Sequence, residues 1–206
     1  MAEHLYTYIN PTNPKHLEKA CEVLARSRVI AYPTDVNWSL GCDATQTKAV
    51  KKLLSLKPEH PKDQPFSLLC ESLTMISDIA FISNSAYRML RRALPGPYTI
   101  FLKPQKKLAH QIHDKRKTIG VRIPDSPLLL DLLKMYGKPI MTSSLVFDHG
   151  KKFSYGYEVD DIYGHGVDLI LDLGEEMQAA VTSIVDLTED TPRVIREGLG
   201  PTDFFR

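Results

Sequence analysis

The chain has little cysteine, a single tryptophan and almost no net charge. Its three cysteines, Cys21, Cys42 and Cys70, are odd in number and widely spaced, which excludes the disulfide framework of a small secreted domain. Apolar neighbours favour buried thiols; the alternative is a catalytic cysteine at Cys42, which closes a polar turn. No apolar run approaches the roughly 18 residues of a membrane helix, and Met1-Ala2-Glu3-His4 does not begin a signal peptide. The expected location is the cytoplasm, with no membrane partner. Several site signatures are also missing. There is no G-x-x-x-x-G-K-[ST] loop and no G-x-S-x-G elbow, and neither Gly164-His165-Gly166 nor Gly198-Leu199-Gly200 completes a dinucleotide fingerprint. His110 and His113 have no third ligand in view, so no metal held by the protein is expected.

With 206 residues, 43% of them hydrophobic and 25% charged, the chain can bury one sizeable core, and a single domain spanning residues 1–206 is expected. Helices alternate with strands along it. Asn13-Pro14 starts a helix with Leu17, Ala20, Cys21, Leu24 and Ala25 at helical spacing. Further helices are expected over residues 45–56, with Val50, Leu53 and Leu54 inward, over 72–78, over 84–94, with Tyr87, Leu90 and Leu94 inward, and from Ser126-Pro127, with Leu129, Leu132, Leu133 and Tyr136 inward. Strands are expected at 5–9, 29–32, 66–70, 98–102, 118–124, 139–142, 167–171, 183–187 and 193–196. Residues 147–166 read as a long excursion with at most a short helix near Val159 to Tyr163. This interleaving predicts an α/β or α+β fold, a mixed sheet covered by helices.

The most informative stretch runs from Val29 to Cys70. An apolar strand breaks at Pro33 into a polar turn through Cys42, a helix follows, and Lys57-Pro58-Glu59-His60 leads to the next strand. Hydroxyls, the Asp35 carboxylate and the Lys57 ammonium thus gather beside a strand end, a setting that suits a small anion. Tyr32-Pro33-Thr34-Asp35, Leu40-Gly41-Cys42 and that lysine resemble the YrdC family of translation and tRNA-modification factors. The resemblance continues through Pro95 to Thr99, Val121-Arg122-Ile123-Pro124, Thr142-Ser143-Ser144, Thr182 to Asp186 and Arg196-Glu197-Gly198. It spans nearly the whole chain and points to the YciO-like branch.

This resemblance implies a twisted mixed sheet with an open cavity. It also implies threonylcarbamoyl-adenylate synthase-type chemistry linked to tRNA modification. Threonine and bicarbonate form a carbamate, which attacks the α-phosphate of ATP and releases pyrophosphate. Such a reaction needs no covalent nucleophile from the protein; it needs anions held together and charge neutralised, with magnesium arriving on ATP. By motif position, Lys57, Arg122 and Ser143 would be catalytic. Thr34, Asp35, Thr142, Ser144, Thr182, Ser183 and Arg196 would bind nucleotide or the small amino acid. The chain departs from the synthase pattern in four places: Glu59 for the arginine of Lys-x-Arg, Leu145 for the asparagine of Ser-x-Asn, Val36 for threonine, and Trp38-Ser39 for Tyr-Gly. A carboxylate in place of a cation reverses the sign of a local interaction, so weak or altered adenylyl chemistry is expected.

Charge is unevenly distributed. Lys103, Lys106, Lys107, Lys115, Arg116, Lys117 and Arg122 face only Asp114 in their segment, whereas residues 154–206 hold twelve acidic residues against three arginines. The basic run is either a solvated loop or one side of an RNA surface. The alternative function is accordingly a non-catalytic protein that binds tRNA, ribosomal RNA or double-stranded RNA.

Overall fold

The computed structural model describes residues 2–8, 11–58, 66–105, 118–145 and 153–205. Its elements alternate as the periodicity predicts. β1 (Glu3–Tyr6), α1 (Pro14–Ala25), β2 (Val29–Pro33), β3 (Trp38–Asp43), α2 (Thr47–Leu56), β4 (Ser67–Leu69), α3 (Leu73–Ile79) and β5 (Ala80–Phe81) form the first half. α4 (Asn84–Ala93), β6 (Tyr98–Pro104), β7 (Ile119–Arg122), α5 (Pro127–Tyr136), β8 (Ile140–Ser144), α6 (Gly156–Tyr163), β9 (Leu169–Asp172), β10 (Ser183–Asp186) and β11 (Arg193–Arg196) complete it. The helix starts follow local chemistry: Asn13, Ser72 and Ser83 each accept a backbone N–H at a helix N-terminus, and Pro14 and Pro127 occupy first-turn positions.

All the strands of the described residues join one twisted mixed sheet, ordered β1-β9-β2-β3-β8-β4-β7-β6-β10-β11, with β5 paired to the last two residues of β6. Pairing is parallel for β1·β9, β2·β9, β4·β7 and β6·β10 and antiparallel elsewhere. Two buried apolar clusters divide between its faces. α1 and α5 cover one face with Leu17, Leu24, Leu129 and Leu133 against Ile30, Leu69, Ile140 and Leu169. The opposite face carries Leu40, Cys42, Leu68, Ile100, Val121 and Val185 beneath α2, α3, α4 and α6.

Four expectations need correction. The polar turn does not extend from Thr34 to Cys42: the turn is only Thr34–Asn37, and Trp38–Asp43 is a buried strand. Thr34 Oγ1 donates to Asn37 O at 2.8 Å and accepts from the Val36 and Asn37 amides at 3.1 Å, which closes the turn in four residues. Ser39 and Gly41 then alternate with Trp38, Leu40 and Cys42, and these small residues hid a period-2 pattern. On α2 the inward residues are Ala49 and Leu53; Val50 is half-buried and Leu54 exposed. On α4 they are Ala86, Leu90 and Ala93, while Tyr87 is exposed, because alanines let a helix approach the sheet closely. The first strand lies at Glu3–Tyr6, placed by its register of Glu3 on Leu169 and Tyr6 on Asp172; Ile9 lies outside the described residues.

Asp43 supports the start of α2. Its carboxylate accepts from Thr45 N at 2.7 Å, Thr45 Oγ1 at 2.6 Å, Gln46 Nε2 at 2.8 Å and Tyr136 OH at 2.5 Å. Burial pushes its pKa up, but these hydrogen bonds outweigh it and the net shift is downward. The unfolded chain therefore takes the proton first. Stability from Asp43 is fully present above the ordinary value of 3.8 and is lost as pH falls through the lowered folded value. The Tm difference between wild type and Asp43→Asn is expected to hold from neutrality to about pH 4 and to shrink only below it. A decline beginning near about pH 6 would contradict the depressed pKa.

Candidate functional site

The site is organised by an ion pair between distant strands. Arg122, at the end of β7, donates through Nη2 to Asp35 Oδ1 at 2.6 Å, with the two side chains only 5% and 7% exposed. β2 and β7 are separated in the sheet by β3, β8 and β4. In a flat sheet they would stand roughly 19 Å apart, four strand spacings. The contact therefore requires that the sheet curl, making this face concave, and that the Thr34–Asn37 turn lean across it. Two hydrogen bonds hold the lean: Ala180 N donates to Val36 O at 2.8 Å, and Asn37 Nδ2 to Ala180 O at 2.9 Å.

The register assigns the other side chains to faces. Tyr32, Gly41, Thr142, Ser67, Gly120, Arg122, Thr99, Thr182 and Arg196 fall on the concave face, because paired residues share a side and alternate residues repeat it. Tyr32 OH donates to Thr142 Oγ1 at 3.0 Å, and Thr142 Oγ1 also lies 3.3 Å from Leu40 O. The Tyr32 ring occupies the space a Cβ on Gly41 would need, so the bare backbone there is required. Across the concavity Thr99 and Thr182 share a hydroxyl hydrogen bond at 2.9 Å. Arg196 donates through Nε to Thr182 O and through Nη2 to Thr182 Oγ1, both at 3.0 Å.

Electrostatics follows this geometry. Burial pushes the Asp35 carboxyl above its ordinary value, with the Arg122 charge and the Asp125 and Asp35 amides opposing. The Arg122 pKa is lowered by burial, against the pull of Asp35. That of Arg196 is lowered first by burial and then by the like charge of Arg122. Two guanidinium groups thus feel each other across a surface bearing one paired carboxylate. Asp35 Oδ2 and Arg122 Nε are buried and make no hydrogen bond among the described residues.

The remaining expected residues divide. Ser143 lies on the opposite face, between Met141 and Leu145 in the apolar core, and its buried hydroxyl has no hydrogen-bond partner among the described residues. Lys57 also sits there, 8% exposed, with Nζ 5.9 Å from the Tyr163 ring centre. Ser183 is committed to the chain itself, donating to Gly200 O at 2.5 Å and accepting from Gly198 N at 2.9 Å. Thr34 is committed to its turn, and Ser144 is exposed at the end of β8. Burial pushes the Cys42 thiol up to about 12, the behaviour of a neutral core residue. Of the six basic residues singled out for RNA, Lys103 is described and pairs with Glu189 at 2.9 Å; Lys106, Lys107, Lys115, Arg116 and Lys117 lie outside the described residues, as does Glu59. The sequence reading missed Tyr32 and Thr99 as site residues. Both stand inside motifs that carried the resemblance, but only the register reveals that they face Arg122.

Comparison with known proteins is consistent with this architecture. The family model Sua5/YciO/YrdC, described as telomere recombination, matches residues 22–198. YciO of Escherichia coli is 35% identical over 205 residues, covering 97% of this chain and 98% of that one. Its crystal structure superposes with a TM-score of 0.91 at 32% identity over the full length of both chains. The threonylcarbamoyl-AMP synthase of Vibrio vulnificus is 27% identical over 165 residues, 78% of this chain and 88% of that enzyme. The structure of P. abyssi Sua5 complexed with L-threonine shares the fold at a TM-score of 0.83 and 23% identity, covering 96% of this chain and 57% of that one. Among the described residues no helix is long and apolar enough to cross a membrane.

Proposed function

Because this chain belongs to the Sua5/YciO/YrdC family, we propose that it binds ATP and a small amino acid on the concave face, with weak or altered threonylcarbamoyl-adenylate synthase-type chemistry linked to tRNA modification. The observation that carries this reading is the pair of guanidiniums, Arg122 and Arg196, converging with the Thr99 and Thr182 hydroxyls on one surface. Guanidinium forks suit carboxylate and phosphate, and a partly desolvated pair favours an anion strongly. The Vibrio enzyme makes threonylcarbamoyl-AMP and the P. abyssi protein binds L-threonine; both relationships support this ligand class.

In this reading Arg122 and Arg196 neutralise phosphate or carboxylate charge, and Thr99 and Thr182 orient oxygens beside them. Magnesium enters with the nucleotide, held chiefly by phosphate oxygens. The reduced rate follows from Leu145, fully buried where a synthase carries a polar amide. Calorimetric titration with ATP–magnesium, with and without threonine and bicarbonate, followed by analysis for AMP-containing products, tests it. Saturable binding with slow adenylate formation or none is expected. Rapid turnover would overturn the weak-chemistry part, and absence of nucleotide binding would overturn the whole and favour the RNA alternative. That alternative draws support from Arg88 and Arg91, exposed on α4 with no ion pair among the described residues.

A further inference from the structure

The two end strands of the sheet present their edges differently. β11 is blunted: Pro192 precedes it, Arg193 and Arg196 lie exposed along it, and a bulge between Ile184 and Val185 interrupts its register with β10. Such features keep an open edge from recruiting another chain. β1, at the opposite end, has none of them. Its register with β9 runs unbroken from Glu3 to Tyr6, it contains no proline or lysine, and its one carboxylate, Glu3, is paired with Lys19 at 2.9 Å. Glu3 N donates to Asp168 O and Thr7 N to Asp172 O, so the odd-numbered residues bond β9, and His4 and Tyr6 turn their N–H and C=O groups toward the open edge. The side chains there are aromatic. The His4 and Tyr6 rings stack with centres 4.7 Å apart; Tyr6 is 62% exposed and Tyr8, just beyond it, 80%. α6 begins alongside, since a Cβ on Gly156 would lie 3.1 Å from His4 Nε2, and it carries the exposed Tyr157.

We propose that β1 pairs with β1 of a second copy of this chain, antiparallel and about a two-fold axis through Leu5, so that the two sheets run on as one. The outward backbone groups select an extended strand as the occupant, and the two-fold register selects this strand itself. With the axis at Leu5, His4 of each copy stands opposite Tyr6 of the other as a hydrogen-bonded pair, which exchanges both N–H···O bonds. The stacked rings of the two copies then meet on one face as cross-strand aromatic pairs, and Glu3 falls opposite Thr7 rather than opposite another carboxylate. The contact uses the same patch on both copies and closes as a dimer. Its size is adequate. Tyr6, Tyr8 and Tyr157, at about 150–250 Å² of surface each and largely exposed, bring on the order of 800 Å² from two copies. The covered backbone carries the total to the roughly 1,000 Å² that a specific interface needs.

Light scattering and sedimentation of the full chain, from low to high micromolar concentration, test this on wild type, Tyr6→Lys and Tyr87→Lys. Wild type is expected to reach twice the monomer mass as concentration rises. Tyr6→Lys removes a ring and sets an ammonium beside the edge, and its self-association should weaken by about tenfold or more. Tyr87→Lys removes an exposed ring on α4 instead and should dimerise as wild type does. Hydrogen exchange gives a readout that needs no variant to fold: the His4 and Tyr6 amides of wild type should exchange more slowly as concentration rises, with the Glu3 and Thr7 amides, already bonded to β9, unchanged. Wild type that stays monomeric throughout, growth beyond a dimer, undiminished association of Tyr6→Lys, or His4 and Tyr6 exchange that ignores concentration would each overturn the proposal.

Discussion

Replacing Arg122 with alanine is expected to destabilise the protein by about 3–5 kcal/mol and to weaken binding of carboxylate and phosphate ligands by about a hundredfold or more. The stability loss comes from what remains. Asp35 keeps its position in the turn, its side chain 7% exposed, and loses the cation that opposes its burial. Its carboxyl then takes a proton more readily, which limits the loss without removing it. The comparison that separates this effect from a generic cavity is Arg122→Leu with Asp35→Leu. Removing both charges and keeping apolar bulk is expected to cost well under the single change. Urea unfolding of the two proteins checks the order, and an Arg122→Ala loss below about 1 kcal/mol would mean that the pair is solvated.

The second large effect concerns the apparent repair of the family motif. Leu145→Asn would write the synthase asparagine back into the chain, yet it is expected to destabilise by about 3–5 kcal/mol and to leave adenylate formation no faster. Leu145 is fully buried, and its amide donates to Trp38 O at 2.8 Å, which fixes it in the apolar core that also contains Phe153 and Tyr163. An amide side chain there meets few partners. Thermal unfolding measures the first expectation and product analysis the second; a stable variant with raised turnover would show that the position opens toward substrate. This departure is therefore a change of surroundings as well as of one residue, with Trp38 at 1% exposure as its companion.

The elements were largely legible where side-chain period and capping chemistry agreed. Asn13-Pro14 and Ser126-Pro127 marked helix starts because the same residues that satisfy a first turn are visible in a linear string. β3 was illegible because Ser39 and Gly41, chosen for the concave face, look like turn residues when read along the chain. The site was legible as a set of motifs and illegible as a geometry. Arg122 and Asp35 each stand in a recognisable motif, but their contact depends on the curl of a sheet with three strands between them, and no local pattern encodes that curl. Ser143 and Thr142 form one cluster in the linear sequence, but strand alternation sends them to opposite faces.

The sheet order also sets a timetable. β9 lies between β1 and β2, so that Glu3 and Ile30 both pair with Leu169. At roughly 5–20 residues per second, a ribosome that has released β1 needs on the order of ten seconds or more to deliver its partner. Throughout that interval β1 has no neighbour and one edge of β2 stands open, the condition under which a strand recruits foreign chains. Assembly of this half of the molecule is thus a late event in the life of the nascent polypeptide, and any arrest upstream of Leu169 releases a chain with two adhesive edges.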